Sequence, residues 1–188
     1  MSKPVLTEAD FQRAAATLCC EVAAIKAVTE VEAPKGGFNP DGTPTILFER
    51  HIFHRETGGR FSKSHPSISN PSPGGYGSYA SQHNRLGEAA KLDRTAALRS
   101  ASWGKFQIMG FNHKAAGHAT VQAFVNAMYR SEGAQLDAFV AFIKADPTLH
   151  KALREKQWAT FARLYNGPNF AVNAYDTKLR SAYQRFLT

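Results

Sequence analysis

Apolar residues recur every three to four positions along most of this chain, so helices are the elements its sequence predicts most often. The first helix announces its own start. Thr7 stands as N-cap, Asp10 occupies the third helical position, and Leu6 and Phe11 are placed as a hydrophobic staple across them. This helix is expected to end near Leu18. A second, EVAAIKAVTEVE, carries Val22, Ile25 and Val28 at helical spacing and stops at Glu32. A turn through Pro34, Gly36 and Gly37 follows, and between residues 38 and 60 the pattern changes. NPDGTP reads as a turn, and TILFERHIF is rich in strand-formers, which predicts a small β-element. On that strand, alternation would set Glu49 on the face opposite Phe48 and Arg50. SHPSISNPSPGGYGSY has no period and is dense in Ser, Pro and Gly. A loop of that length in a compact domain is more often functional than idle. Helical pattern returns over residues 81–100, resumes after SWG, and continues through TVQAFVNAMY, QLDAFVAFIK, PTLHKALREKQW and AVNAYDTKLRSAYQRFL. Pro147 falls at a first helical turn, where its missing N–H is harmless. The expected architecture is mainly α (α+β), with one small sheet at residues 38–60. With no repeat, heptad array or linker, residues 1–188 read as a single domain.

Composition narrows the partners. The 188 residues are 43% hydrophobic, enough for one core, either undivided or shaped as two lobes around a cleft. Lys and Arg number 23 against 15 Asp and Glu, a formal charge of +8, which favours a polyanionic partner: nucleic acid, an anionic membrane face or an acidic envelope polymer. The charge is dispersed and no nucleic-acid module is visible, so nucleic acid is not expected. Cys19 and Cys20 are adjacent, and a bridge between neighbours closes almost no loop. They read as small core residues. The start, MSKPVLTEADFQ, lacks the apolar stretch of a secretory signal, and no segment approaches the roughly twenty apolar residues of a membrane span. Synthesis into the cytoplasm without a signal peptide is the expectation.

Three stretches carry candidate chemistry. Glu32 sits at a helix end, where backbone carbonyls disfavour negative charge and so raise a carboxyl pKa, the shift a general acid needs near neutral pH. SWGKFQIMGFN and FARLYNGPNF are the others. Each alone has an ordinary reading: a solvated end residue, a helix start with a buried Trp, a helix stop.

In combination and in this order they resemble the lysozyme-like superfamily, which includes goose-type lysozymes and soluble lytic transglycosylases. The nearer resemblance is to the N-acetylmuramidase family of phage and prophage endolysins active on Gram-negative walls. It rests on AAIKAVTEVEAPKGGF, TILFERHIFHR, SASWGKFQIMGFN, FVNAMYRSEGAQLDAFVAFIK and FARLYNGPNF with YDTKL, nearly the whole chain. Two departures are visible: Ala33-Pro34 stands where the family commonly has Ser after its catalytic Glu, and Cys19-Cys20 where it usually has a Gly-containing turn.

The resemblance implies a lysozyme-like helical bundle whose small sheet forms a lobe beside a substrate cleft. It also implies hydrolysis of the β-1,4 bond between N-acetylmuramic acid and N-acetylglucosamine. Such cleavage needs a carboxylic acid at the leaving oxygen and usually a second carboxylate. Glu32 is the candidate acid, its helix end and an apolar cleft wall both favouring the neutral form. Glu49 is the second carboxylate, the competing reading of Glu49 being a salt bridge to Arg50 or a neighbouring His. Asp41, in a PDG turn, ranks below it because Asp there serves local hydrogen bonds, and Glu30 is expected to be solvated. Trp103, Gln107, Tyr165 and Asn166 match positions that line the family's saccharide groove, although Trp103 reads equally well as core. His51 and His54 invite a metal, but on a strand they would face opposite sides and no His-Glu-x-x-His is present, so no metal or other cofactor is expected and a zinc amidase is disfavoured. The alternatives are a lytic transglycosylase giving 1,6-anhydro products and a non-enzymatic basic polyanion-binding protein. Expected partners are peptidoglycan, a holin-type protein for release if the chain is phage-encoded, and an anionic outer-membrane surface. The last would meet basic C-terminal helices bearing Lys151, Arg154 and Lys156. A monomer is expected.

Overall fold

The computed structural model describes residues 3–32, 36–167, 171 and 173–187. Helix α1 (Glu8–Leu18) opens with the expected capping box: Thr7 Oγ1 accepts from Asp10 N, and Asp10 Oδ2 accepts from Thr7 N at 2.9 Å. Its C-cap, Cys19, takes the left-handed conformation at φ 49° and is exposed. That corrects its reading as a core residue: the helix must turn sharply there, so the side chain is thrown outward. Helix α2 (Val22–Glu32) follows as the central element, with Ala24, Ile25, Ala27 and Val28 at 1% exposure or less.

A short strand, β1 (Ile46–Phe48), leads into α3 (Arg50–Glu56). The strand reading of TILFERHIF is thus right only for its first half. Ile52 and Phe53 are strand-formers, yet both are buried on the inner face of a helix, so packing overrides local preference. Helices α4 (Gln82–Leu92) and α5 (Arg94–Arg99) share Asp93, which ends one and caps the next through Ala96 N.

The remaining strands, β2 (Ala101–Trp103) and β3 (Ile108–Met109), come from SWGKFQIMG rather than from residues 38–60. The sheet is antiparallel in the order β1-β2-β3, with Ile46 opposite Trp103 and Trp103 opposite Ile108. Two left-handed residues, Gly104 (φ 69°) and Gln107 (φ 48°), bound the turn that closes this hairpin. Gly104 cannot be replaced without movement, because a Cβ there would lie 2.7 Å from Gln135 Cδ.

The C-terminal half is helical: α6 (Val121–Met128), α7 (Glu132–Ala145), α8 (Pro147–Arg154), α9 (Trp158–Asn166) and α10 (Tyr175–Leu187). Pro147 begins α8 and Asp146 caps it through Thr148 N and Leu149 N. One core runs through the chain, anchored by Phe48, Phe53, Trp103, Phe124, Phe139 and Phe161, and α10 packs along α2. Among the described residues no helix is long and apolar enough to cross a membrane.

Candidate active site

Glu32 is the last residue of α2, half-buried, and its Oε1 accepts a 2.9 Å hydrogen bond from Asn166 Nδ2. Burial raises its pKa from 4.5 to about 7, against a smaller lowering by the Asn166 amide. The direction matches the sequence expectation, and of the two causes expected, the helix end and an apolar wall, desolvation by the packed surroundings is the one at work. Near neutral pH this carboxyl holds a proton in a large fraction of molecules, the condition for donating one.

The end of α9 is held by Tyr165. Its hydroxyl donates to Phe106 O at 2.8 Å, and its ring packs on Phe139, Phe142 and Phe161. Burial and the nearby Glu32 charge push this phenol well above its ordinary range. Tyr165 therefore acts as a strut between α9 and the hairpin, with its polar tip already used, and it sets where Asn166 stands. Tyr175, at the start of α10, also has its phenol raised by burial and by Glu32.

Glu49 is not on a strand face, as alternation predicted; it occupies the N-cap position of α3, and its backbone N–H donates to Ser100 O at 2.9 Å. Its carboxylate is 19% exposed, with Oε2 3.3 Å from the Tyr76 hydroxyl and 3.2 Å from His51 Nδ1. The His51 contact is an ion pair when that ring is protonated. Arg50 turns elsewhere and donates to Ser72 O.

Most other sequence candidates have their polar groups engaged by other partners. Trp103 is 1% exposed and donates its indole N–H to Leu98 O at 3.0 Å, so it is core and does not face a groove. Gln107 spends its amide inside the hairpin: Nε2 donates to Gly104 O at 2.8 Å, and Oε1 accepts from Ser102 Oγ at 2.7 Å. Asp41 is exposed, with Oδ1 accepting from Thr43 N (2.9 Å) and Thr43 Oγ1 (2.6 Å), the self-contained turn its PDG context predicts. Glu30, on the exposed face of α2, pairs with Arg185. His51 and His54 lie three apart on helix α3, not on opposite faces of a strand. His54 is engaged with Ser62 Oγ at 2.7 Å, and among the described residues no third donor joins them as a metal ligand.

A buried cluster on α7 had no assigned role in the sequence reading. Glu132 is 6% exposed, and its Oε1 accepts from Gly37 N (2.8 Å) and Lys105 Nζ (3.1 Å) while Oε2 accepts from Leu6 N (3.2 Å). Gln135, 1% exposed, accepts from Lys105 N (2.7 Å) and donates to Gly37 O (3.2 Å) and Met128 O (2.9 Å). Two polar side chains three positions apart thus tie Gly37, the β2–β3 turn and the N-terminal segment to one helix. Their signal in the sequence was polar residues falling on the inner side of an otherwise apolar helix.

Comparison with known proteins assigns the chain to a family and a fold. The sequence profile of the N-acetylmuramidase family matches residues 21–187. Among solved structures, the crystal structure of the Burkholderia AP3 phage endolysin superposes with a TM-score of 0.92 at 48% sequence identity, covering 97% of this chain and 70% of that one. A search of curated proteins returns no match. The mainly helical fold with a small antiparallel sheet is the lysozyme-like architecture, and the chain belongs to the N-acetylmuramidase family, peptidoglycan-hydrolysing glycoside hydrolases.

Proposed function

We propose that this muramidase is an endolysin that cleaves the β-1,4 bond between N-acetylmuramic acid and N-acetylglucosamine, with Glu32 as general acid and Glu49 as second carboxylate. The observation that carries the reading is a half-buried carboxyl at a helix end with its pKa raised to about 7. In the reaction Glu32 gives its proton to the leaving glycosidic oxygen, and the Asn166 amide keeps the carboxyl aimed and shares the charge left on it. Glu49, partly exposed at the sheet–helix junction, activates water or stabilises the oxocarbenium-like transition state. Residues 1–188 act as one catalytic domain and as a monomer. Wall affinity comes from the groove and the positive charge, and passage from cytoplasm to wall requires a membrane-permeabilising partner of the holin kind.

Glu32→Gln keeps the shape of the side chain and removes the proton. Its lytic rate on outer-membrane-stripped Gram-negative cells should fall by at least about 100-fold. A variant retaining more than that overturns the acid assignment. Mass spectrometry of the products decides the chemistry: reducing N-acetylmuramic acid ends mark a hydrolase, whereas 1,6-anhydro ends mark a lytic transglycosylase and remove the water-activating role from Glu49.

A further inference from the structure

The loop between α3 and α4 sets one aromatic side chain beside Glu49. The Tyr76 hydroxyl lies 3.3 Å from Glu49 Oε2, while 37% of the residue stays exposed. Its position is built from buried groups. Tyr76 O accepts a 2.7 Å hydrogen bond from Gln82 Nε2, and Gln82, 2% exposed, uses its Oε1 to accept from Phe48 N at 2.9 Å. One side chain thus ties Phe48, the strand residue before Glu49, to the backbone of Tyr76. The other edge of the loop rests on Arg50, whose Nε donates to Ser72 O at 3.2 Å. The Arg50 guanidinium fills the space a Cβ on Gly75 would need, 2.6 Å from Cζ. Gly74, Gly75 and Gly77 all have positive φ; Gly75 lies close against Arg50, and Tyr76 is the side chain this glycine-rich stretch presents. Burial and the neighbouring carboxylate raise the Tyr76 phenol above its ordinary range, so its hydroxyl is a donor throughout the working pH range. An aromatic body with one tethered polar tip and few rotatable bonds suits the apolar face of a pyranose ring.

We propose that Tyr76 is both the positioning residue of Glu49, through its hydroxyl, and the stacking platform for an N-acetylhexosamine unit of the glycan, through its ring. The first role rests on the reading of Glu49 as second carboxylate; the second does not. Around Glu49 stand His51 on α3 at 3.2 Å and Tyr76 on the loop. Arg50 lies next to Tyr76, and Arg85 of α4 beside Arg50. Losing the hydroxyl removes the bond that holds Glu49 Oε2 and leaves the ring in place, so turnover should fall while binding is kept.

The test uses Tyr76→Phe and Tyr76→Ala, with a purified peptidoglycan tetrasaccharide as ligand and unchanged thermal midpoints as the check on folding. Tyr76→Phe should hold KM within about twofold and lower kcat about tenfold. Tyr76→Ala, made in the inactive Glu32→Gln protein, should bind the tetrasaccharide about five- to tenfold more weakly than Glu32→Gln alone, while Tyr76→Phe in that protein binds like its parent. An unchanged kcat in Tyr76→Phe, or a loss of kcat matched by an equal rise in KM, overturns the positioning role, and unweakened binding by Tyr76→Ala overturns the platform. Full activity in Glu49→Gln would instead overturn the second-carboxylate reading, and with it the positioning role, while the binding measurement still decides the platform.

Discussion

Asn166 donates its side-chain amide to Glu32 Oε1 at 2.9 Å, so the last residue of α9 meets the last residue of α2. This bond favours the ionised acid, while burial favours the neutral one and prevails. Removing the donor should therefore raise the Glu32 pKa above about 7. Asn166→Ala should move the alkaline limb of the pH–rate profile upward while lowering kcat, because the acid is less well aimed. An alkaline limb that moves down, or stays in place, would show that Asn166 does not act on this carboxyl.

The same shift links pH to stability. Glu32 ionises near 4.5 in the unfolded chain and near 7 in the folded one, so between these values the folded protein holds a proton that the unfolded chain has released. The stabilisation is complete below the lower value and is lost as pH rises through the upper one. Glu32→Gln cannot ionise and escapes the loss. Relative to wild type it should be about 2 kcal/mol more favourable at about pH 8 than at about pH 4, read from denaturant midpoints.

Glu132 and Lys105 form a pair with side chains only 8% and 14% exposed. Glu132→Ala leaves the ammonium, Gly37 N and Leu6 N without their shared acceptor. A loss of about 3–5 kcal/mol of stability is expected. The isosteric Glu132→Gln keeps an acceptor for Gly37 N and should lose less. If both variants unfold at the wild-type midpoint, the cluster does not tie Gly37 to α7.

Cys19 caps α1 in a left-handed conformation that glycine adopts without steric cost. Cys19→Gly should raise stability by about 1 kcal/mol, since the side chain is exposed and little packing is lost. A lower melting midpoint would mean that the thiol contributes more than the strain takes away.

On the basic C-terminal side, Lys151 and Arg154 are exposed on α8, whereas Lys156 is held by Glu21 at 2.5 Å. The envelope contact proposed for this face therefore falls to Lys151 and Arg154. Replacing both with Gln should weaken binding to intact Gram-negative cells at low salt more than it slows cleavage of purified glycan, and the difference should vanish near 1 M salt. Equal cell binding by the folded variant would leave these residues as a solvated helix face.

Local signals were legible because each acts within a turn or two of chain. The capping box at Thr7 and Asp10, the start of α8 at Pro147, the end of α2 at Glu32 and the Asp41 turn all follow from neighbouring residues. Motif order was enough to point to the family. The tertiary structure decided the rest, because it depends on partners far apart in the chain. Asn166 reaches Glu32 across 134 positions, and Glu132 reaches Gly37 across 95. SWGKFQIMG becomes a hairpin rather than a helix because β1 pairs with it and Gln135 packs against its turn. TILFERHIF leaves its strand at Glu49 because Ile52 and Phe53 bury better on a helix. Above all, spacing can place an acid at a helix end, but the desolvation that holds its proton near neutral pH exists only once the chain has closed around it.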